Sequence, residues 1–185
     1  MVIWLCGLSG AGKTTIGNAL YDRIKERAAN LVILDGDELR KALGGDLGHD
    51  AKSRQLNSIR IANLCHLLDL QGIHVVCCAM TIAPEAQELN RQRLSGYCEI
   101  LLDVDMDTLI KRDPKGLYKK ALSGKIKNVA GVDIPYVAPK SPHLVIDTRE
   151  TLTDFSTIVD RILENVTFPG ATFGAMTHVS VRNPV

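Results

Sequence analysis

Gly7-Leu8-Ser9-Gly10-Ala11-Gly12-Lys13-Thr14 is the stretch around which this chain of 185 residues is organised. It matches the phosphate-loop pattern G-x-x-x-x-G-K-[ST] at every fixed position. The apolar run at residues 2–6 predicts a buried strand before the loop. A helix is predicted after it, with an apolar face made by Ile16, Leu20, Ile24 and Ala28. A Gly-rich turn that binds nothing is the alternative, but strand, turn and helix together are the setting that the motif requires.

Each part of the loop has a chemical role if the loop binds a nucleotide. The glycines let the backbone curl and point its N–H groups at phosphate oxygens. The N-terminus of the following helix adds positive potential at the same place. Lys13 would supply a charge to the β- and γ-phosphate oxygens, and Thr14 a hydroxyl ligand for Mg²⁺.

The composition is that of an ordinary globular protein with one domain: 45% of residues are hydrophobic and 23% are charged. A net charge of +1 argues against a general nucleic-acid or membrane surface, and no apolar run reaches the ~18 residues of a membrane span. We expect no signal peptide. The five cysteines form no C-x-x-C pair, which favours a cytoplasmic protein with small buried thiols and without disulfides or structural metal.

Alternating strand and helix patterns predict the fold class. Strand patterns recur at residues 31–34, 73–79, 99–104 and 144–147, with helical stretches between them. We therefore expect an α/β protein of three layers, in which a five-stranded parallel sheet carries helices on both faces through right-handed crossovers. One domain would cover residues 1–166 and end in a helix at residues 152–166. The tail at residues 167–185 lacks periodicity.

The helix predicted at residues 54–70 carries polar residues on one side. It would follow a polar, Gly-rich loop at residues 41–53 and end at Gly72. Arg54, Asn57 and Arg60 share a side that is either solvated or a clamp for an anionic substrate. The buried side is predicted to comprise Leu56, Ile59, Leu64, Leu67 and Leu68.

Two carboxylates, Asp35 and Asp37, follow the second predicted strand. Ligands of α/β sheets bind at the carboxyl ends of the strands. One carboxylate could therefore meet Mg²⁺ or its waters while the other faces a substrate hydroxyl. Helix capping in a solvated turn is the alternative interpretation.

Residues 111–127 are strongly basic, with seven lysines and arginines against Asp113 alone. Such a run is usually a solvated face. Next to a phosphate loop it could instead be a lid that brings cations over the phosphates as the site closes. Gly116, Gly124 and Gly131 are candidate hinges.

Four blocks of sequence together resemble one enzyme family. They are residues 7–15, Asp35-Gly36-Asp37, the run Arg112-Asp113-Pro114-Lys115-Gly116-Leu117-Tyr118-Lys119-Lys120-Ala121, and Gly131-Val132-Asp133-Ile134-Pro135-Tyr136 with Pro139. Over residues 2–148 the chain is similar to adenylylsulfate (APS) kinases. The resemblance implies a phosphate-loop kinase fold, ATP and Mg²⁺ as cofactors, a small-molecule nucleotide as partner, and a homodimer. The family reaction phosphorylates the ribose 3′-hydroxyl of adenylyl sulfate.

The resemblance also implies roles for individual residues. The phosphate loop through Thr15 would bind ATP together with Arg112. Lys13, Asp35 and Asp37 would be catalytic, with Asp37 as the base, and Thr14 and Asp35 would ligate Mg²⁺. The implied substrate-binding positions are Arg40, Arg54, Asn57, Thr81 and, in a lid at about residues 112–131, Lys115, Gly116 and Leu117.

The departures from the family pattern lie on the acceptor side. The family usually places two phenylalanines around the adenine of adenylyl sulfate, and this sequence has His49 and Val129 there. Ser53 replaces an aspartate. Another family block becomes Ala79-Met80-Thr81-Ile82-Ala83-Pro84 and loses its aromatic and its arginine. A base stacked on an aromatic ring gains about 1–3 kcal/mol, so adenine would bind more weakly here.

The acceptor therefore has two candidates, with adenylyl sulfate as the expected one and another nucleotide as the alternative. The motif blocks favour adenylyl sulfate as part of sulfate assimilation. The lost aromatics favour another nucleotide, such as the cytidine diphosphoramidate used by similar kinases in capsule biosynthesis. A GTPase-like switch is a third interpretation because residues 113–116 match D-x-x-G, but the sequence has no guanine-reading Asn/Thr-Lys-x-Asp motif.

Overall fold

A computed structural model describes residues 1–149 and 155–166 of the chain. Its centre is a five-stranded parallel sheet, as the sequence predicts, and the structure gives the strand order β2-β3-β1-β4-β5. The tail at residues 167–185 and the start of the predicted closing helix lie outside the described residues. The strands are β1 (Val2–Cys6), β2 (Leu31–Asp35), β3 (His74–Cys78), β4 (Tyr97–Asp103) and β5 (Leu144–Asp147).

Seven helices connect or follow these strands within the described ranges. Three of them, α2, α5 and α6, have only six or seven residues, and a separate helix at α2 was not predicted from the sequence. The N-terminal end of each of α2, α3 and α5 is capped by an aspartate, at Asp35, Asp50 and Asp105. The helices are α1 (Lys13–Lys25), α2 (Gly36–Ala42), α3 (Ala51–Leu70), α4 (Pro84–Arg93), α5 (Met106–Arg112), α6 (Leu117–Leu122) and α7 (Ser156–Glu164).

Alternate residues of β1 point to the two faces of the sheet, and both faces are covered. Ile3 and Leu5 pack with the apolar sides of α1 and α7. Val2, Trp4 and Cys6 pack with α3 on the other face. All five β1 residues are fully buried, so the central strand reads as a continuous apolar run. The predicted helices on both faces of the sheet are confirmed.

The predicted buried side of the helix at residues 54–70 was wrong for Leu56 and Leu67, whereas Ile59 and Leu68 are partly buried and pack against the core. Leu56 is 41% exposed and Leu67 is 54% exposed. The buried residues of α3 are instead Asn57, Ser58, Ile61, Ala62 and Cys65. Small side chains face inward here because α3 lies against β3 and α4, where Ala62 contacts Ala83 and Ala86. The loop before α3 is also shorter than predicted, since α2 reaches Ala42 and α3 starts at Ala51.

The five cysteines are all buried with free thiols, as the sequence favoured. Within the described ranges, none of the helices is both long and apolar enough to cross a membrane.

Candidate active site

The phosphate loop between β1 and α1 needs glycine at defined positions. Gly7, Gly10 and Gly12 have φ values of 143°, 84° and 98°, which side chains with a Cβ rarely adopt. A Cβ on Gly7 would also lie 2.8 Å from the Leu102 carbonyl oxygen. The fixed glycines of the motif are therefore required by the backbone that forms the cradle.

Lys13 folds back over this loop. Its Nζ donates hydrogen bonds to the carbonyl oxygens of Gly7 at 3.0 Å and Leu8 at 2.9 Å. Burial lowers the pKa of Lys13, and the charges of Asp37 and Asp35 act in the opposite direction. The ammonium thus stands at the loop beside two carboxylates, whose charges favour its protonated form.

Thr14 and Asp35 form a pair of oxygen donors next to Lys13. The Thr14 hydroxyl donates to Asp35 Oδ2 at 2.7 Å. The other oxygen of Asp35 accepts the backbone N–H groups of Asp37 and Glu38 at 2.9 Å and 3.3 Å. Asp35 therefore both caps α2 and lies at the site. The cap fixes the direction of the carboxylate.

Asp37 projects from the first turn of α2 and meets the basic segment. Lys115 Nζ donates to Asp37 Oδ2 at 2.8 Å across 78 residues of sequence. Burial raises the pKa of Asp37, but the hydrogen bond and charge of Lys115, with Lys13 and His49, outweigh it and hold the pKa below its usual value. The carboxylate is thus ionised at neutral pH. The proposed lid residue Lys115 reaches the proposed base.

Arg40 and Arg54 hold the loop between α2 and α3. Arg40 donates to the carbonyl oxygens of Leu47 and Gly48 at 3.1 Å and 2.7 Å. Arg54 donates to the His49 carbonyl at 2.7 Å and to the Asn128 carbonyl at 2.8 Å. Both guanidinium groups therefore lie at the cleft while bonded to neutral carbonyls, which an anionic ligand could replace.

Arg60, the third polar residue predicted on this helix, lies elsewhere. It forms a bidentate ion pair with Asp46 at 2.7 Å and 2.8 Å and does not line the cleft. Its partner belongs to the same α2–α3 loop that Arg40 and Arg54 hold. Arg60 therefore anchors the loop from outside the cleft.

The phosphate loop, the acidic pair Asp35 and Asp37, Lys115 and the two arginines Arg40 and Arg54 line one cleft of about 820 Å³. The volume suits a pair of nucleotide-sized ligands or one large one. Met80, Ile82, Ile61 and Ala130 provide apolar walls. The residues predicted for the site that line it are Ser9, Gly10, Gly12, Lys13, Thr14, Thr15, Asp35, Asp37, Arg40, Arg54, Asn57, Lys115 and Leu117.

Other predicted site residues lie beside the cleft. Gly7 and Leu8 contribute the carbonyls that Lys13 holds, and Ala11 is buried beneath the loop. Gly116 takes a left-handed φ of 61° at the start of α6. Thr81 is only 1% exposed, and its hydroxyl has no hydrogen-bond partner among the described residues.

Arg112, predicted to bind ATP, is directed toward the chain after β5. Its Nη2 donates to the carbonyl oxygens of Thr148 at 2.6 Å and Arg149 at 2.9 Å. It does not line the cleft. The guanidinium thus connects the end of α5 to the loop that follows the edge strand.

The wall of the cleft at His49 has no six-membered aromatic ring among the described residues. Among the described residues that line the cleft there is no Phe, Tyr or Trp, and His49 supplies the ring at this end. Burial lowers the pKa of His49, and the charges of Arg40 and Arg54 lower it further, so the imidazole is neutral at neutral pH. Val129 is 2% exposed and packs in an apolar cluster with Leu8 and Leu109.

Sequence reasoning missed Tyr118 and the role of Asp113. Tyr118 is 1% exposed, and its hydroxyl donates to the Ser9 carbonyl of the phosphate loop at 2.8 Å. Asp113 accepts the backbone N–H groups of Tyr118 and Lys119 at 3.2 Å and 2.9 Å. The available signal was a lone aromatic in a basic stretch, together with an aspartate ahead of a helix start.

Comparison with known proteins places this geometry in one family. The adenylylsulphate kinase family model matches residues 1–147. A cytidine diphosphoramidate kinase of Campylobacter jejuni is 44% identical over 140 residues, which cover 76% of this chain and 82% of the relative. An adenylyl-sulfate kinase of Picosynechococcus is 37% identical over 167 residues, which cover 90% of this chain and 93% of the relative.

Solved structures agree with the sequence comparison. The APS kinase CysC of Mycobacterium tuberculosis, in complex with AMPPNP and APS, superposes with a TM-score of 0.80 at 30% identity. The match covers 89% of this chain and 95% of that one. With its phosphate loop, acidic pair and basic segment around one cleft, this chain belongs to the adenylylsulphate kinase family and is a phosphotransferase that acts on a hydroxyl group.

Proposed function

We propose that this protein transfers the γ-phosphoryl group of ATP to a hydroxyl of a nucleotide-linked acceptor. The observation that carries the proposal is the contact of Lys115 with Asp37 at 2.8 Å, in the same cleft as Lys13 and Thr14. It brings a lid cation and a candidate base to the end of a phosphate cradle. Phosphoryl transfer depends mainly on such positioning and on charge stabilisation.

The donor side of the cleft would hold the triphosphate. The backbone N–H groups of the phosphate loop and the Lys13 ammonium would bind the β- and γ-phosphates. The hydroxyl of Thr14 and the carboxylate of Asp35, 2.7 Å apart, are hard oxygen donors of the kind that Mg²⁺ accepts. A bound Mg²⁺ would neutralise charge on the phosphate oxygens.

The acceptor side would hold and activate the hydroxyl. Asp37 would accept a hydrogen bond from the attacking hydroxyl and take its proton as the phosphoryl group is transferred. Lys115 would release Asp37 as this transfer begins and move its charge to the transferring group. Arg40, Arg54 and Asn57 would bind the anionic part of the acceptor, with Thr81, Gly116 and Leu117 beside them.

The acceptor-base site supports a choice between two acceptors. Because the described part of the chain places no phenylalanine, tyrosine or tryptophan in the cleft lining, a purine loses stacking worth about 1–3 kcal/mol per ring. A neutral imidazole at His49 can both donate and accept hydrogen bonds at a smaller, more polar base. The relative that is 44% identical is named for cytidine diphosphoramidate. We therefore rank cytidine diphosphoramidate above adenylyl sulfate. This ranking reverses the expectation from the sequence, in which the family-wide motifs favour adenylyl sulfate.

Steady-state kinetics with both acceptors tests this proposal. ADP release is followed with ATP, Mg²⁺ and either acceptor, and the Lys13→Met variant measures the background. We expect kcat/KM with cytidine diphosphoramidate to exceed that with adenylyl sulfate by about tenfold or more, since 1.4 kcal/mol of lost stacking is a factor of ten. A higher kcat/KM with adenylyl sulfate would overturn the ranking. Background rates with both acceptors would overturn the kinase proposal.

The setting of the reaction is part of the same proposal. Buried free thiols are typical of proteins in a reducing compartment, which supports a cytoplasmic location. The homodimer and a place in sulfate assimilation or capsule biosynthesis stay predictions that rest on the resemblance. Kinase domain boundaries at residues 1–166, with a lid at about residues 112–131, stay predictions as well.

A further inference from the structure

The middle of the basic segment is held against the phosphate loop by one buried side chain. Tyr118 is the buried residue of α6, and its ring lies in an apolar cluster with Leu8, Leu109, Val129 and Ala130. The other five residues of α6 are partly or fully exposed. Burying one large aromatic in a short basic helix fixes that helix on the core at this point.

The hydroxyl of Tyr118 makes a specific contact with the loop. It donates to the Ser9 carbonyl at 2.8 Å, across 109 residues of sequence. Burial, with a smaller contribution from the charge of Asp113, raises the pKa of Tyr118 to about 12, although the charge of Arg54 acts in the opposite direction. The hydroxyl therefore keeps its proton and remains a donor throughout the neutral range.

Holding a carbonyl also fixes the next N–H group. The carbonyl of Ser9 and the N–H of Gly10 belong to one planar trans peptide and point in opposite directions. Lys13 holds the two preceding carbonyls, those of Gly7 and Leu8. Side chains thus fix three successive peptide planes of the loop, and Tyr118 fixes the third.

We propose that Tyr118 is a positioning residue for nucleotide binding, whose hydroxyl orients the Ser9–Gly10 peptide so that the Gly10 N–H faces the phosphates. The idea rests on the proposed function, because it needs a triphosphate in the loop. It also makes Tyr118 a fixed point within the lid: Lys115 lies three residues before Tyr118 and contacts Asp37. Lid movement would then take place about an anchor on the phosphate loop.

The Tyr118→Phe variant of the full chain tests this role, because it keeps the ring and removes only the hydroxyl. A matched control is Tyr136→Phe, since the hydroxyl of Tyr136 is buried and has no hydrogen-bond partner among the described residues. For Tyr118→Phe we expect the KM for ATP to rise about three- to tenfold, the range for one lost hydrogen bond, with the acceptor KM within about twofold of wild type. Tyr136→Phe should leave both KM values unchanged.

Melting temperatures of the three proteins separate positioning from packing. A Tyr118→Phe variant with a lower melting temperature but an unchanged KM for ATP would show a structural role and overturn the inference. Equal rises in the KM values of ATP and acceptor would overturn it too. A wild-type protein with no turnover would instead refute the proposed function, so the two failures are distinguishable.

Discussion

The carboxylate of Asp37 and the ammonium of Lys115 illustrate how single residues set the chemistry of this cleft. A carboxylate whose pKa is held down by a cation is ionised at neutral pH but accepts protons poorly. It becomes a better base when the cation leaves. Transfer of Lys115 from Asp37 to the phosphoryl group would therefore strengthen the base at the moment the hydroxyl loses its proton.

Replacing Lys115 should move the acid limb of the pH profile. In the wild type, the pKa of Asp37 is lowered, so the ionised form is lost only as the pH falls through that low value. Lys115→Met removes the hydrogen bond and the charge while burial, which raises the pKa, remains. We expect the acid limb of kcat/KM against pH to shift to higher pH, along with a lower kcat.

Asp37→Asn is the control for this assignment. It has no carboxyl group at this position, so the acid limb should disappear and turnover should fall by about 10²-fold or more, as for a positioned base. Binding of ATP, measured by calorimetry, should be retained. A Lys115→Met profile that superposes on the wild-type profile would show that Asp37 is not the group that titrates.

At the residue scale, the sequence predicts groups that lie in one motif better than groups that meet across the chain. The phosphate loop and the Asp35–Asp37 pair are local patterns, and the structure places Lys13, Thr14, Asp35 and Asp37 around one cleft. The contact of Tyr118 with Ser9 spans 109 residues. Local spacing carries no signal for such a contact, because only the tertiary fold brings the two residues together.

At the scale of secondary-structure elements, α1 packs on β3 through a glycine. A Cβ on Gly17 would lie 2.1 Å from Cys78 Sγ and 3.4 Å from Leu5 Cδ1. The helix can therefore approach the sheet closely only with glycine at this position. Because α1 begins with Lys13 and Thr14, this close approach also places the nucleotide-binding residues.

Gly17→Ala separates this packing from helix propensity. Propensity alone would stabilise the helix by up to about 1 kcal/mol, whereas overpacking should lower the free energy of unfolding by about 1–3 kcal/mol. We expect overpacking to prevail, so that the free energy of unfolding measured in urea is lower for the variant than for the wild type. Adding Cys78→Ala removes the clashing sulfur and should recover part of the stability. A single variant at least as stable as the wild type would contradict the packing argument.

The helix α3 shows why element patterns alone can mislead. Its leucines at the predicted core positions include Leu56 and Leu67, which are exposed, while Asn57 and Ser58 are buried. Which side of α3 is buried depends on which side chains fit against α4 and the sheet, and not on where the largest apolar side chains lie. Small side chains allow that close packing, so the periodicity of the leucines wrongly predicted that Leu56 and Leu67 are buried.

At the scale of the whole molecule, the sheet order explains the position of the site. The central strand β1 lies between β3 and β4, and β2 lies beyond β3. Since the strands are parallel, the phosphate loop after β1 and Asp35 at the end of β2 meet at one edge. The sequence predicts the number and type of strands, but their order depends on long-range pairing that local patterns do not encode.

The cleft as a whole is proposed to transfer phosphate from ATP to a nucleotide-linked hydroxyl. Phosphorus NMR of the purified protein with ATP, Mg²⁺ and each acceptor tests this transfer, because donor and product are both observed. We expect ADP and a new phosphomonoester on the acceptor to form in equal amounts, and neither to form without acceptor. ADP without a phosphorylated acceptor, or no change in ATP with either acceptor, would contradict the proposed transfer.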